Sequence, residues 1–268
     1  MTHWLGYLFT GVFAGLTAGL LGVGGGVITV PFLDVLWTAR GADAHASFAV
    51  ARGTSLAIMV FTSFAAAYSH WKRGAVRPRW ALRMAAGGLA GALVGSVLAI
   101  QVTPTVSRKM FGVFALVVGA QFLLGRKRKA DAASPDASPV RPWTAYPLGA
   151  AVGVFSSFFG VGGGILSVPL LRWVARAGVR EAVATSSTLI VGLGAAGAAC
   201  FAILGIRAGS SLPHCIGYID LPALAVIAAI SMAAAPLGVA LAHRLPARKV
   251  EVVFALYAFG IAVKLLAG

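Results

Sequence analysis

The sequence predicts an all-α, polytopic integral membrane protein of two inverted-topology repeats, each a glycine-broken hairpin plus three transmembrane helices. Three observations support this. Of the 268 residues 59% are hydrophobic and 11% charged, too few charges to cover a water-soluble surface. Apolar blocks approaching the roughly 20 residues that span a hydrocarbon core recur along the whole chain. The chain also repeats itself: LGVGGGVITVPFL at residues 21–33 returns as FGVGGGILSVPLL at 159–171, with the glycine cluster, a hydroxyl residue (Thr29 or Ser167) and a proline (Pro31 or Pro169) in register.

The elements follow in order. Residues 4–38 form a long apolar segment interrupted by Gly24, Gly25 and Gly26, and helices are expected over 46–69, 80–100 and 108–124. Residues 125–142, GRKRKADAASPDASPVRP, are polar and rich in Pro, Ser and Ala, the composition of an exposed linker. The second half repeats the plan: 143–172, interrupted by Gly162, Gly163 and Gly164, then helices over 181–204, 219–241 and 249–266. AVARGTSL at 49–56 pairs with AVATSSTL at 182–189, and the spacing Gly95, Val102, Phe111 recurs as Gly238, Leu245, Phe254. The halves therefore read as diverged copies, a first repeat over 1–124, a cytoplasmic linker over 125–142 and a second repeat over 143–268.

Charge sets the expected topology. With the linker in the cytoplasm and alternating sides, sixteen Lys and Arg lie inside and five outside, with Arg52 left within a span. Basic loops stay cytoplasmic. Loops 70–83, 125–142, 172–180 and 242–249 are then inside, both termini are outside, and each loop of one half lies opposite its counterpart in the other. Segment 143–172 must enter and return, either as two short passes or as a re-entrant hairpin turning at the glycines.

The net charge of +15 does not indicate a nucleic-acid partner, because the cations fill gaps between apolar blocks rather than one aromatic-interleaved surface. Residues 1–22 carry no Lys or Arg ahead of the apolar run, so they are expected to remain in the mature chain. Cys200 and Cys215 match no metal or redox spacing. No metal or cofactor is expected.

Three glycines in a row, twice, exceed what helix packing requires, whereas the spaced sets Gly11, Gly15, Gly19 and Gly87, Gly91, Gly95 suit packing alone. A glycine turn lets a ligand approach the main chain and opens amides at the start of the next helix, where partial positive charge attracts anions. A nucleotide-phosphate loop would need a strand before the turn. Pro31 and Pro169 read either as first-turn helix prolines or as kinks in a helix already begun.

The second paired motif adds polar groups: Arg52, Thr54 and Ser55 answer to Thr185, Ser187 and Thr188, with Ser186 between. Such hydroxyls either bond the preceding turn or hold a ligand. Arg52 lies about two turns into an apolar helix, where a cation is either functional or snorkels to the interface. Asp34, Asp43, Glu181, Asp220 and Glu251 fall near segment ends, so an anion site is favoured over a cation site. The five histidines sit at ends or in loops, which argues against an intramembrane enzyme.

At these residues the chain resembles the sulfite exporter TauE/SafE family, also known as the toluene-sulfonate uptake permeases. The resemblance is carried by GLLGVGGGVITVPFL with GVGGGILSVPLL and by ARGTSL with ATSSTL, and supported by VTPTVSRKMFGVF and RLPARKVEVVFAL. It covers all but the linker. It implies secondary transport of small sulfur-containing anions (sulfite, sulfonates or sulfoacetate) across a bacterial inner membrane by alternating access, with the lipid bilayer as surroundings and a homodimer left open. The expected substrate-binding set is Gly24, Gly25, Gly26, Thr29, Arg52, Thr54, Ser55, Gly162, Gly163, Gly164, Ser167, Ser186, Ser187 and Thr188. A passive anion channel and a non-transporting membrane assembly protein are the competing functions.

Overall fold

The computed structural model describes residues 2–124, 142–210, 212–242 and 247–267. Residues 125–141, nearly all of the expected linker, and 243–246 within the expected loop 242–249 lie outside the described residues.

Among the described residues the structure is all-α apart from one two-stranded hairpin. The first half comprises α1 (Thr2–Leu21), α2 (Gly26–Ala39), α3 (Ala44–Trp71), α4 (Pro78–Gln101) and α5 (Pro104–Leu124). The second comprises α6 (Pro142–Phe159), α7 (Gly164–Val174), α8 (Val179–Arg207), β1 (Cys215–Ile216), β2 (Ile219–Asp220), α9 (Leu221–Ala242) and α10 (Ala247–Ala267). Among the described residues six helices are long and apolar enough to cross a membrane. The expected helix over 219–241 begins two residues later, because 215–220 fold into an antiparallel hairpin pairing Cys215 with Asp220.

Each glycine-interrupted segment is two helices joined by a buried turn. Pro31 and Pro169 lie inside α2 and α7, so of the two readings the helix is already running when it meets the proline. At about 1.5 Å per residue, the 14 residues of α2 extend about 21 Å, short of the about 30 Å hydrocarbon core.

Most of the packing crosses between the halves. α1 lies along α9 and α4 along α6, α3 crosses α8, and α5 pairs with α10. The pairing is unchanged when the halves exchange roles. The spaced glycines permit this: Gly15 and Gly19 rest against the backbone of Ser231 and Ala235 on α9, and Gly87, Gly91 and Gly95 against Tyr146, Ala150 and Val154 on α6. Backbones approach this closely only where no Cβ intervenes.

α3 is central, with 78% of its most apolar window buried against 39–44% for the other spans. Leu82, Leu93, Val117, Leu237, Leu256 and Val263 are exposed outward, as residues facing lipid are. Trp4, Trp71, Trp143 and Trp173 are exposed at helix ends, where the amphipathic indole sits at a membrane interface.

Candidate functional site: two facing glycine turns

Gly22, Gly24 and Gly25 hold φ of 66°, 83° and 82°, and Gly160, Gly162 and Gly163 hold 71°, 80° and 72°. This left-handed region carries little penalty only for glycine. The third glycine of each cluster is already helical and is needed for space. A Cβ on Gly26 would lie 2.5 Å from the Gly160 oxygen and 2.6 Å from Val161 Cα; one on Gly164 would strike the Gly22 oxygen and lie 2.6 Å from Val23 Cα. The two turns therefore touch, and α2 and α7 start from this contact.

In the first turn of each helix, Ile28 and Thr29 donate to the Gly25 oxygen at 3.0 and 3.2 Å, and Leu166 and Ser167 to the Gly163 oxygen at 3.0 and 2.8 Å. The amides ahead of them have no carbonyl one turn back. Two positive helix ends thus meet inside the molecule.

A pair of hydroxyls braces each turn. Ser55 donates to the Gly160 oxygen at 2.8 Å and lies 2.7 Å from Thr29 Oγ1. Ser186 donates to the Gly22 oxygen at 3.0 Å and lies 2.7 Å from Ser167 Oγ. Each serine has one proton, committed to a carbonyl, so Thr29 and Ser167 are the donors within the pairs. All four residues are buried.

These bonds correct the pairing of AVARGTSL with AVATSSTL by two residues. Thr54 accepts from the amide of Asp220 at 2.9 Å, and Thr185 accepts from that of Arg77 at 3.1 Å, each at the start of the fourth helix of the other half. Thr54 therefore matches Thr185, and Ser55 matches Ser186. A slip of two residues turns a side chain about 200° around the axis, so equivalence follows the face rather than the ungapped match at Ala49 and Ala182. Arg52 then stands opposite Val183: Arg52 backs Gly160, and Val183 backs Gly22.

Of the expected set, the structure brings together Gly24, Gly25, Gly26, Thr29, Ser55, Gly162, Gly163, Gly164, Ser167 and Ser186. Four residues are engaged elsewhere. Thr54 braces Asp220, and Ser187 and Thr188 back-bond to the Val183 and Ala184 oxygens at 3.0 and 3.1 Å. Arg52 is 2% exposed, so it does not snorkel. Its Nη2 donates to the Ala99 oxygen at 2.9 Å, its Nη1 to Phe158 at 3.2 Å and its Nε to Phe48 at 3.3 Å, with the Phe48 ring 4.5 Å away. Ala99 and Phe158 lie in the last turns of α4 and α6, where a cation offsets the negative helix end.

The sequence reading missed several neighbours. Met59 Sδ would lie 2.9 and 2.7 Å from a Cβ on Gly24 and Gly162, and Ile190 Cγ2 3.4 and 3.1 Å from the same positions. One thioether and one branched side chain each lie against both turns. Their only sequence signal is the corrected register, in which 59 matches 190 as 54 matches 185. Ser156 and Ser157, just before the second turn, are fully buried, and among the described residues their Oγ atoms have no hydrogen-bond partner.

Two of the acidic residues near segment ends, Asp34 and Asp220, are buried but neutralised. Arg108 grips Asp34 through Nε at 2.9 Å and Nη2 at 2.7 Å, and Ser47 donates to Asp34 at 2.8 Å. Asp220 accepts from Trp37 Nε1 at 3.0 Å and from the Ala223 amide at 3.0 Å, with Arg40 at 3.5 Å. Neither carboxylate makes a hydrogen bond to the glycine turns.

A profile of the family described as Sulfite exporter TauE/SafE matches residues 7–265. A protein of Haemophilus influenzae named "Probable membrane transporter protein" is 28% identical over 264 residues, 96% of each chain. A Xylella fastidiosa protein of the same name is 30% identical over 183 residues, covering 68% of this chain and 67% of its own. Another probable membrane transporter, from Methanocaldococcus jannaschii, is 27% identical over 184 residues, covering 68% and 66%. No solved structure matches.

Proposed function

The chain belongs to the TauE/SafE sulfite exporter family, and on that premise we propose that it is a secondary transporter that binds a small sulfur-containing oxyanion between its two glycine turns. The observation that carries this reading is the meeting of two positive helix ends, each braced by a serine from the same half onto the carbonyl of the opposite turn. An oxyanion accepts hydrogen bonds only. Between the turns it meets the amides of Gly24 to Gly26 and Gly162 to Gly164, which the hydroxyls of Thr29, Ser55, Ser167 and Ser186 hold in place. The unpartnered hydroxyls of Ser156 and Ser157 add donors on the side of the second turn. Arg52 contributes its field from behind Gly160 rather than a direct contact.

The packing supports alternating access. The turns belong to different halves and touch, so a bound anion is released when the halves rock apart, first on one side and then on the other. The inverted arrangement, with both termini outside a bacterial inner membrane, is part of the reading and is supported by the charge split across the loops. The close contact of the turns favours a carrier over a passive pore.

The test is flux in proteoliposomes loaded with sulfite, sulfate, taurine or an alkyl sulfonate. A carrier gives saturable uptake and counterflow of labelled anion against its gradient. Linear, non-saturating flux would make the protein a channel, and no flux of any anion would leave an assembly role.

A further inference from the structure

At the end of the molecule where the α2–α3 connection meets the loop before α9, a cavity of about 480 Å³ opens between Trp37, Arg40, Ala42, Pro213, Asp220 and Pro222. The charge count assigns both loops to the cell exterior. The volume suits a small organic molecule and exceeds what an inorganic oxyanion fills.

The chemistry of the walls is unequal. Asp220 is 1% exposed and both its oxygens are occupied: Oδ2 by Trp37 Nε1 and Oδ1 by the Ala223 amide. It is the cap of α9 and a support for the wall, with little capacity left for a ligand. Arg40 is different. Its side chain is 33% exposed, its Nη2 donates to Tyr7 Oη at 3.1 Å, and its approach to Asp220 is a long 3.5 Å. Among the described residues, three of its five N–H groups have no partner once those two contacts are counted. The guanidinium lies 5.2 Å from the Trp37 ring centre, which holds it at the wall. The remaining walls, Ala42, Leu212, Pro213 and Pro222, are apolar. His214 beside them holds φ of 60°, an uncommon conformation for a residue with a Cβ, tied by the Leu221 amide donating to its oxygen at 3.1 Å. Left-handed non-glycine residues concentrate at ligand clamps.

We propose that this cavity is a capture site for a small organic anion, with Arg40 taking the charged head and the Trp37, Pro213 and Pro222 surfaces taking the apolar body. The site is separate from the glycine turns and selects for carbon attached to the anionic group, which those turns do not require. Its purpose, loading the transport path, rests on the transport reading; its binding does not.

The experiment is calorimetric titration of the full-length protein in lipid nanodiscs with 1-butanesulfonate, butyrate and sulfite. Butanesulfonate and butyrate should bind, and sulfite at least tenfold more weakly. Ala42→Phe, which fills the cavity without removing a partner of Asp220, should weaken butanesulfonate binding at least tenfold, with the unfolding temperature checked in parallel. Should Ala42→Phe fail to fold, Arg40→Gln decides on the same criterion. Butanesulfonate binding that is absent, or unchanged in whichever variant folds, overturns the inference. Absent flux in proteoliposomes with butanesulfonate binding intact overturns the transport reading and leaves the capture site standing.

Discussion

Ser55 on α3 donates its hydroxyl proton to the carbonyl oxygen of Gly160, 2.8 Å away in the opposite half of the chain. Ser186 returns the same bond to Gly22 at 3.0 Å. The two bonds fasten the glycine turns to each other. Ser55→Ala or Ser186→Ala leaves one buried carbonyl without its donor, at a cost of about 1–3 kcal/mol. Each variant is expected to unfold at lower temperature and to lose at least tenfold in flux at subsaturating substrate. Flux unchanged in the double variant removes the serines from the transport path.

Gly26→Ala and Gly164→Ala place a Cβ against the main chain of the opposite turn. Backbone cannot yield as a flexible side chain does, so both variants should reduce transport by more than tenfold or fail to accumulate. Gly260→Ala meets nothing within 4 Å and should behave as wild type. Equal expression and flux across all three would refute the close contact of the turns.

Arg52 joins the last turns of α4 and α6 by donating to the Ala99 and Phe158 carbonyls. Arg52→Ala orphans them, and the expected loss is about 3 kcal/mol or more, read as reduced abundance in the membrane. Arg52→Lys keeps the charge without the fork and should fall between the two. Wild-type abundance for Arg52→Ala, with transport abolished, would instead make Arg52 a direct substrate ligand.

Burial, reinforced by the Asp220 carboxylate and opposed by Arg40, pushes the Cys215 thiol up to about 12. Only the thiolate reacts, so below that value its population rises tenfold per pH unit. In a Cys200→Ala background, maleimide labelling of Cys215 should be more than tenfold slower than that of an exposed thiol at pH 7.5 and should climb through pH 10 without a plateau. A plateau near pH 9 would place the thiol in open solvent.

Ala208 and Lys72 are exposed at loops expected on opposite sides. In a cysteine-free background, Ala208→Cys should react with an impermeant maleimide in intact cells, and Lys72→Cys only after permeabilisation. The reverse pattern inverts the topology.

The sequence by itself determined the all-α membrane class, the glycine breaks and the division of cations among the loops, because lipid admits only long apolar helices and leaves charge to the gaps between them. It also identified the serine and threonine positions that brace the turns, since a motif present twice stands out against its surroundings. The partners of those groups were decided by tertiary structure. Arg52 read alone was a ligand or an anchor, and became a clasp only when the ends of α4 and α6 were brought to it. Met59 and Ile190 carried no polar signal and entered the site through their place between the turns. The two-residue register shift of α3 against α8 was likewise invisible to an ungapped match, because a helix face is defined by what packs on it, and the groups packed here lie more than a hundred residues away along the chain.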